Sequence, residues 1–431
     1  KRFTLFEGDI VIIEQNPERA EYAREHLDAM VIEGNATDYE ILKSAQIDKM
    51  DAFVALTRSD EINLLACKLA KKMGVQTTIA RVKNAQYLNP NFIVRKEDFG
   101  VDLMVHPEQE TAKAIVRLIN LASSTDSIEF ENGKVHFTGI RIDSQLDILR
   151  VPLAELGTKY KHIPMRIVAI KRNLRTIIPR GSDFLMKGDQ IFFTCNPNYF
   201  DELLKIFGKK NVKIEDVMII GGGQIAYFIA EKLQDDLNIK IIEKDEKKAT
   251  DIANQLRDTL VIHGDGSDLD LLTLEGLPDM DEFVAITGDD ETNIITSIIA
   301  KHLKVPRAIT LINKNEYLPL SGTLGLDAVV SKQQITVNVI ESFIKRQSIA
   351  NVVELPGIEA EITMYIAKPK SKITTKPLKN LDFPRGAIVG AVIDRNDNLI
   401  IPTGDTHISE GDKVLILCTT EQIKIVEKLF K

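Results

Sequence analysis

The feature that most limits how this chain can fold is an internal repeat about 230 residues long. "DAFVALTRSDEINLL" (51–65) matches "DEFVAITGDDETNII" (281–295) at eight of fifteen positions, and three more exchange Leu for Ile. The same offset brings "VIEGNATD" (31–38) onto "VIHGDGSD" (261–268) and Tyr87-Leu88 onto Tyr317-Leu318. Upstream it shortens by one, where "DIVIIEQNPERA" (9–20) faces "NIKIIEKDEKKA" (238–249). Solenoid units run to ~20–50 residues, so a repeat of this length is a duplicated domain. A chain of 431 residues has room for roughly two to four domains.

Within each copy, short apolar runs alternate with helical patterns. In the second copy the runs are "VMII" (217–220), "IKII" (239–242), "LVIH" (260–263), "FVAIT" (283–287), "AITLI" (308–312) and "AVVS" (328–331). Continuous Val/Ile runs linked by helices predict a parallel sheet covered on both faces. That is a doubly wound α/β domain. A second, smaller repeat follows each copy: "IVAIKRNLRTIIPRGSDFLMKGDQIFFTC" (167–195) resembles "IVGAVIDRNDNLIIPTGDTHISEGDKVLILC" (388–418). The predicted fold class is therefore α/β: two tandem Rossmann-like doubly wound parallel-sheet domains, each followed by a small αβ domain. The expected modules are residues 1–122, 123–211, 212–350 and 351–431.

Composition narrows the function. A net charge of −8 gives no electrostatic case for nucleic acid. No apolar run approaches the ~20 residues that span a bilayer, and the opening "KRFTLFEGDIVIIE" lacks the cleavage site of a secretory signal. Cys67, Cys195 and Cys418 are too few and scattered for a disulfide framework or zinc site. They read as buried thiols in a reducing cytoplasm.

The strongest motif opens the second copy. Strand "VMII" runs into Gly221-Gly222-Gly223-Gln224-Ile225-Ala226 and a helical pattern, a G-x-G-x-x-A spacing. Gly221 permits the tight turn, Gly223 lets a pyrophosphate approach the backbone, and Ala226 lets helix and strand pack closely. The helix N-terminus then offers unpaired N–H groups and a positive dipole end to phosphates. Glu243 follows 22 residues after Gly221, where a carboxylate accepts from both ribose hydroxyls. It would repel a 2′-phosphate, which favours NAD or an adenosine nucleotide over NADP. Asp265 and Gly266 either frame the adenine edge or form an ordinary turn. Thr287 and Gly288 end the fourth strand and face the crevice where ligands bind. Asp289, Asp290 and Glu291 stand at a helix start, where acids cap well.

The first copy differs. Glu14 matches Glu243, Asn35-Ala36 match Asp265-Gly266, Thr57-Arg58 match Thr287-Gly288, and Arg81 matches Leu311. Arg81 is either a bidentate phosphate ligand or a surface arginine. Residue 1 aligns with Ala230, so the counterpart of "VMIIGGGQIAYFI" is not in the sequence as given. A doubly wound sheet without its first strand would expose its centre; the expectation is that this piece has been left out, and with it the first phosphate loop.

A dehydrogenase needs a second domain that brings an acid or base to the nicotinamide. The small modules offer none, and the histidines stand alone, without partners at catalytic or metal spacing. The nucleotide reads as a signal rather than a reagent, with an NAD-dependent oxidoreductase as the alternative. A Gly-loop domain followed by a small αβ domain, repeated, with "VMIIGGGQIA", "HGDGSDLDLL", "FVAITGDDETNII" and "IIPTGD…ISEGDKVLIL" in the second half and "VIIEQNPERA", "EGNATD", "ALTRSDEINLLAC" and "IARV" in the first, resembles the TrkA family. These are regulatory subunits of bacterial Trk potassium uptake, built from tandem RCK (KTN) domains. The resemblance implies RCK N- and C-terminal parts in each half, no enzymatic activity, and NAD(H) or ATP/ADP as the gating ligand. It implies a cytoplasmic protein, peripheral on the inner face of the membrane beneath a TrkH- or TrkG-type channel. It also implies a homo-oligomer, typically a tetramer. By position it implies nucleotide contacts at Gly221, Gly223, Gln224, Ile225 and Glu243, and at Glu14, Asn35, Thr57, Arg58 and Arg81.

Overall fold

The computed structural model describes residues 9–89, 91–120, 126–131, 134–142, 145–173, 175–209, 214–345, 349–354, 358 and 360–431. The module borders expected near 122 and 211 lie outside the described residues. The chain divides into two compact units, Lys1–Pro107 and Glu108–Lys431.

The first unit runs β1 (Val11–Glu14), α1 (Pro17–His26), β2 (Met30–Glu33), α2 (Tyr39–Ser44), β3 (Ala52–Ala55), α3 (Asp60–Lys72), β4 (Thr77–Arg81), β5 (Leu103–Val105). Its strands make two parallel sheets, β1-β2 and β3-β4-β5. One core joins them: Phe53, Leu64, Ala66 and Cys67 are buried, with Val11, Ile13 and Ile32 packed against them.

In the second unit, α4 (Pro107–Asn120) leads to β6 (Asp126–Phe130), β7 (Val135–Arg141), α5 (Leu153–Lys159), β8 (Met165–Arg172), β9 (Arg175–Ile177), β10 (Gln190–Cys195) and α6 (Phe200–Ile206). The second α/β copy follows as β11 (Asp216–Ile220), α7 (Gln224–Leu233), β12 (Asn238–Glu243), α8 (Glu246–Ala253), β13 (Thr259–His263), α9 (Leu269–Leu274), β14 (Glu282–Ala285), α10 (Asp290–His302), β15 (Arg307–Leu311), β16 (Ala328–Val330) and α11 (Lys332–Lys345). The chain ends with β17 (Ile349–Glu354), β18 (Glu361–Ile366), β19 (Ala387–Ile393), β20 (Leu399–Ile400), β21 (Lys413–Cys418) and α12 (Ile423–Phe430). β17 spans the border expected near residue 350.

The second α/β copy is one parallel sheet of order β13-β12-β11-β14-β15-β16. Strand order reverses at β11, and this reversal creates the crevice of a doubly wound fold. Alternate residues of β11 enter opposite cores: Val217 and Ile219 one, Met218 and Ile220 the other. A strand buried on both faces must be apolar throughout, as "VMII" is. α4 belongs to the first of these cores through Ala112, Ile115, Leu118 and Ile119. The carbonyls at the end of a helix lack intrahelical partners, and Arg307 at the start of β15 takes one, donating to the Leu118 carbonyl at 2.6 Å.

The two small sheets share one antiparallel order, β6-β7-β10-β8-β9 and β17-β18-β21-β19-β20. They pack face to face through Phe137, Val168 and Phe192 on one side and Ile362, Met364 and Leu415 on the other. Thr194 Oγ1 donates across this interface to the Gly390 carbonyl at 2.6 Å. A Cβ at Gly390 would lie 3.1 Å from Val168 Cγ1, so glycine sets how closely the sheets approach.

Candidate functional site

The second crevice is assembled at the C-terminal edge of the parallel sheet. Gly221 leaves β11 with φ +97°, and a Cβ there would lie 2.9 Å from the Thr287 backbone. Glycine is therefore required twice, for the left-handed turn and for contact with the end of β14. Gly222 packs on Glu243, where a Cβ would come within 2.8 Å. Gly223 is the N-cap of α7, and a Cβ added to it meets nothing within 4 Å. Gly288 is open in the same sense. The loop thus has a packed side and an open side, and Gly223 stands on the open one.

Helix starts along this edge are otherwise capped. Asp245 accepts from Lys248 N–H, Asp268 from Asp270 and Leu271 N–H, and Asp289 from Thr292 N–H. In the first unit Asn16, Asp38 and Ser59 do the same for α1, α2 and α3. α7 receives no side-chain cap. Its first-turn N–H groups, Gln224 and Ile225 included, keep their donor capacity for an anion. The Ile225 side chain is buried in the core, so only its backbone faces a ligand.

Glu243 ends β12 with both carboxylate oxygens engaged: Oε2 accepts Gly222 N–H at 2.6 Å and Oε1 accepts Asp245 N–H at 2.8 Å. Each oxygen keeps a lone pair for a hydroxyl. The carboxylate therefore holds the glycine loop in shape and remains able to accept from a ribose. In the first unit Glu14 Oε1 accepts Asn16 N–H at the same 2.8 Å.

Asp265 makes a turn: its Oδ1 accepts from Ser267 N–H and Oγ, while Oδ2 pairs with Lys244 at 2.7 Å. The Lys244 contact and the two Ser267 bonds hold its carboxyl well below the usual range. Gly266 fits under Ile220, whose Cβ would lie 2.9 Å from an added Cβ. In the first unit Asn35 forms the same turn with Thr37, without an ion pair, and Ala36 stands where Gly266 does.

Capping explains only one of the three acids at the start of α10. A helix has one N-cap, and it is Asp289. Asp290, buried, accepts the N–H groups of Asn313 and Lys314 in the loop after β15. Glu291 takes Lys314 Nζ at 2.6 Å and Tyr317 O–H at 2.7 Å, which draws its carboxyl down to about 2. Residues one and two positions inside a helix point sideways, so these two acids fasten the neighbouring loop.

The residue that sequence reasoning missed is Asn293, fully buried one turn into α10. Its Oδ1 accepts from Thr287 N–H (2.8 Å) and Oγ1 (2.7 Å), and its Nδ2 donates to the carbonyls of Thr287 (3.1 Å) and Leu311 (3.0 Å). Asn63 repeats the pattern with Thr57 and the Arg81 carbonyl. Its signal was present, because Asn63 and Asn293 are among the eight identities of the repeat.

The structure thus gathers Gly221, Gly223, Gln224, Ile225, Glu243, Asp265, Gly266, Thr287 and Gly288 along one edge of one sheet. In the first unit Thr57, Arg58 and Arg81 lie at the C-terminal ends of β3 and β4, and Glu14, Asn35 and Ala36 at those of β1 and β2. Among the described residues no group of three His, Cys, Asp or Glu could hold a metal ion. Among them, too, no helix is long and apolar enough to cross a membrane.

The TrkA-N domain model matches residues 1–107 and 217–332, and the TrkA-C domain model matches 138–208 and 362–431. The chain belongs to the TrkA family. The "Trk system potassium uptake protein TrkA homolog 2" of Methanosarcina mazei is 33% identical over 445 residues, covering 100% of this chain and 96% of that one. TrkA of Azorhizobium caulinodans is 30% identical over 437 residues, covering 100% and 95%. In fold, this TrkA-family chain is similar to the GsuK RCK domain, with a TM-score of 0.59 at 18% identity over 100% of this chain and 92% of that one. It is also similar to the GsuK channel bound to NAD, with a TM-score of 0.61 at 18% identity over 100% and 76%. A GsuK structure bound to ADP matches with a TM-score of 0.51 at 16% identity over 80% and 65%. At such identities these likenesses concern the fold: tandem RCK units.

Proposed function

We propose that the chain is a nucleotide-sensing regulatory subunit of a potassium uptake system, not an enzyme, and that it gates K⁺ flux through a membrane partner. The observation that carries this reading is the uncapped N-terminus of α7, entered through a glycine with open space beside it and flanked by Glu243. The family membership supports the potassium role, since the relatives are named as potassium uptake proteins. It gives the oxidoreductase alternative no support.

The ligand of the second crevice is an adenine nucleotide held at Gly221, Gly223, Gln224, Ile225, Glu243, Asp265, Gly266, Thr287 and Gly288. NAD(H) suits it better than ATP or ADP. Its cradle is backbone N–H, with neutral Gly288 and Leu311 at the neighbouring strand ends and Glu243 close by. Such a cradle accommodates the doubly esterified pyrophosphate of NAD(H), with one charge per phosphate, more readily than the added charge of the free terminal phosphate in ADP or ATP. A first site would use Glu14, Asn35, Ala36, Thr57, Arg58 and Arg81. The partner is a channel subunit of TrkH or TrkG type, met at the cytoplasmic face of the membrane by a ring, a tetramer of these chains.

Calorimetry with NADH, NAD, ADP and ATP tests the ligand. Gly223→Val abolishes binding at the second crevice, because a branched side chain fills the phosphate's space. Glu243→Ala weakens it by about 1.5–3 kcal/mol, the range for hydrogen bonds to a charged group. Wild-type affinity in folded Gly223→Val refutes the phosphate cradle, and unchanged affinity in Glu243→Ala removes that residue from the site. Co-purification with a membrane partner, with K⁺ flux measured against nucleotide, tests the regulatory role.

A further inference from the structure

We propose that Asn293 is a positioning residue for the nucleotide crevice, fixing the ends of β14 and β15 so that the Gly221 turn has a surface to form against. The inference deepens the nucleotide reading of the second copy and rests on it. A primary amide has two donor hydrogens and one acceptor oxygen with two lone pairs. Asn293 uses both hydrogens and accepts twice, all on the ends of two neighbouring strands. It does so fully buried, where an unmade hydrogen bond is costly.

Three of its four bonds fall on Thr287, and Gly221 packs so closely on the Thr287 backbone that an added Cβ would lie 2.9 Å from it. Ile286 N–H also donates to the Ile220 carbonyl at 3.0 Å, so the end of β14 and the start of the glycine loop move together. The fourth bond ties Leu311, at the end of β15, to the same amide. Asn293 therefore ties the ends of β14 and β15 together behind the packed side of the glycine loop, with all four of its bonds spent on the protein itself. The Thr287 hydroxyl, committed to Asn293 Oδ1 as donor, is held in the brace. Asn63 makes the same four bonds in the first unit, where the braced strand end is that of Arg81.

The test is calorimetric titration of NADH into the whole chain. The component that Gly223→Val removes is taken as binding at the second crevice. Asn293→Ala weakens that component at least tenfold, equally at pH 5.5 and 8.5. Asn293→Asp keeps both acceptances from Thr287 but sets an oxygen against two carbonyls, so only its protonated form can donate. A buried carboxyl so placed has a raised pKa, and its affinity for NADH recovers as pH falls, by at least tenfold between 8.5 and 5.5. Leu277→Ala, a fully buried residue at the opposite edge of the sheet, lowers the melting temperature without changing affinity. The inference is overturned if Asn293→Ala binds within twofold of wild type, if Asn293→Asp is insensitive to pH, or if Leu277→Ala loses as much affinity. If Asn293→Ala does not fold, the pH response of Asn293→Asp decides. A wild-type chain that binds no NADH defeats the nucleotide reading itself, whereas binding with indifferent Asn293 variants defeats only the brace.

Discussion

The two α/β copies agree where a contact holds the frame and differ where something else meets it. Asn63 and Asn293 brace the same strand ends, and Asp60 and Asp290 take the same pair of N–H groups in the following loop. Lys71–Asp102 at 2.8 Å recurs as Lys301–Asp327 at 2.9 Å. At the opposite edge the copies part. The second has Glu282 paired with Arg307 at 3.1 Å, almost wholly buried, where the first has Ala52 and Thr77. Arg307 also holds the end of α4. A buried ion pair is poor value for stability alone. Its presence in one copy only points to the helix end that this copy must bind.

The sharpest way to break this comparison is to give the second copy the residues of the first. Arg307→Thr alone leaves Glu282 buried without its cation and destabilises the second unit by about 3–5 kcal/mol, the usual cost of breaking a buried pair. Glu282→Ala with Arg307→Thr recovers much of that loss. Urea unfolding of the three chains checks it, and a double variant no more stable than the single would show the pair to be uncoupled. Acidity gives a second handle. Burial pushes the Glu282 carboxyl up to about 7, with Arg307 pulling it back and Asp327 pushing it further. Its folded pKa then exceeds the unfolded 4.5, so the folded state holds the proton more tightly. The contribution is complete below about 4.5 and is lost as pH rises through about 7. Its slope is at most about 1.4 kcal/mol per pH unit. The double variant lacks this slope.

A smaller effect separates Ala36 from Gly266. Gly266→Ala drives a Cβ against Ile220 and costs about 1–3 kcal/mol in overpacking. Ala36→Gly in the first unit costs under about 1 kcal/mol, chiefly through the flexibility of the unfolded chain. Thermal melts of both compare them, and equal losses would mean that Ile220 yields.

Much of this was legible because the chain states its frame twice. The repeat exposed the strands and Glu243, and the G-x-G-x-x-A spacing exposed the glycine loop, since each rests on residues close in sequence or on a fixed spacing. Asn293 was visible as an identity but not as a brace, because its bonds run to strand ends that only the folded sheet brings to α10. Asp290 was misread as a cap because a run of acids at a helix start looks alike until the fold shows which way each points. Glu282, Arg307 and the docking of α4 were invisible: the Leu118 carbonyl meets Arg307 across 189 residues, and an amphipathic pattern does not say which sheet a helix will cover.

The smallest effect sharpens the likeness rather than the difference. Ser59 caps α3 through its hydroxyl and Asp289 caps α10 through a carboxylate, at equivalent positions. Removing either by substitution with Ala costs about 1 kcal/mol. Asp289 loses slightly more, because its charge also faces the positive end of the helix and its Oδ2 accepts from Thr292 Oγ1 as well as N–H. The excess should shrink in high salt, which screens the charge but not the hydrogen bond, whereas the Ser59→Ala loss should not move. Melting curves at low and high salt read this directly. A salt-independent excess would mean that Asp289 differs from Ser59 in its hydrogen bonds and not in its charge.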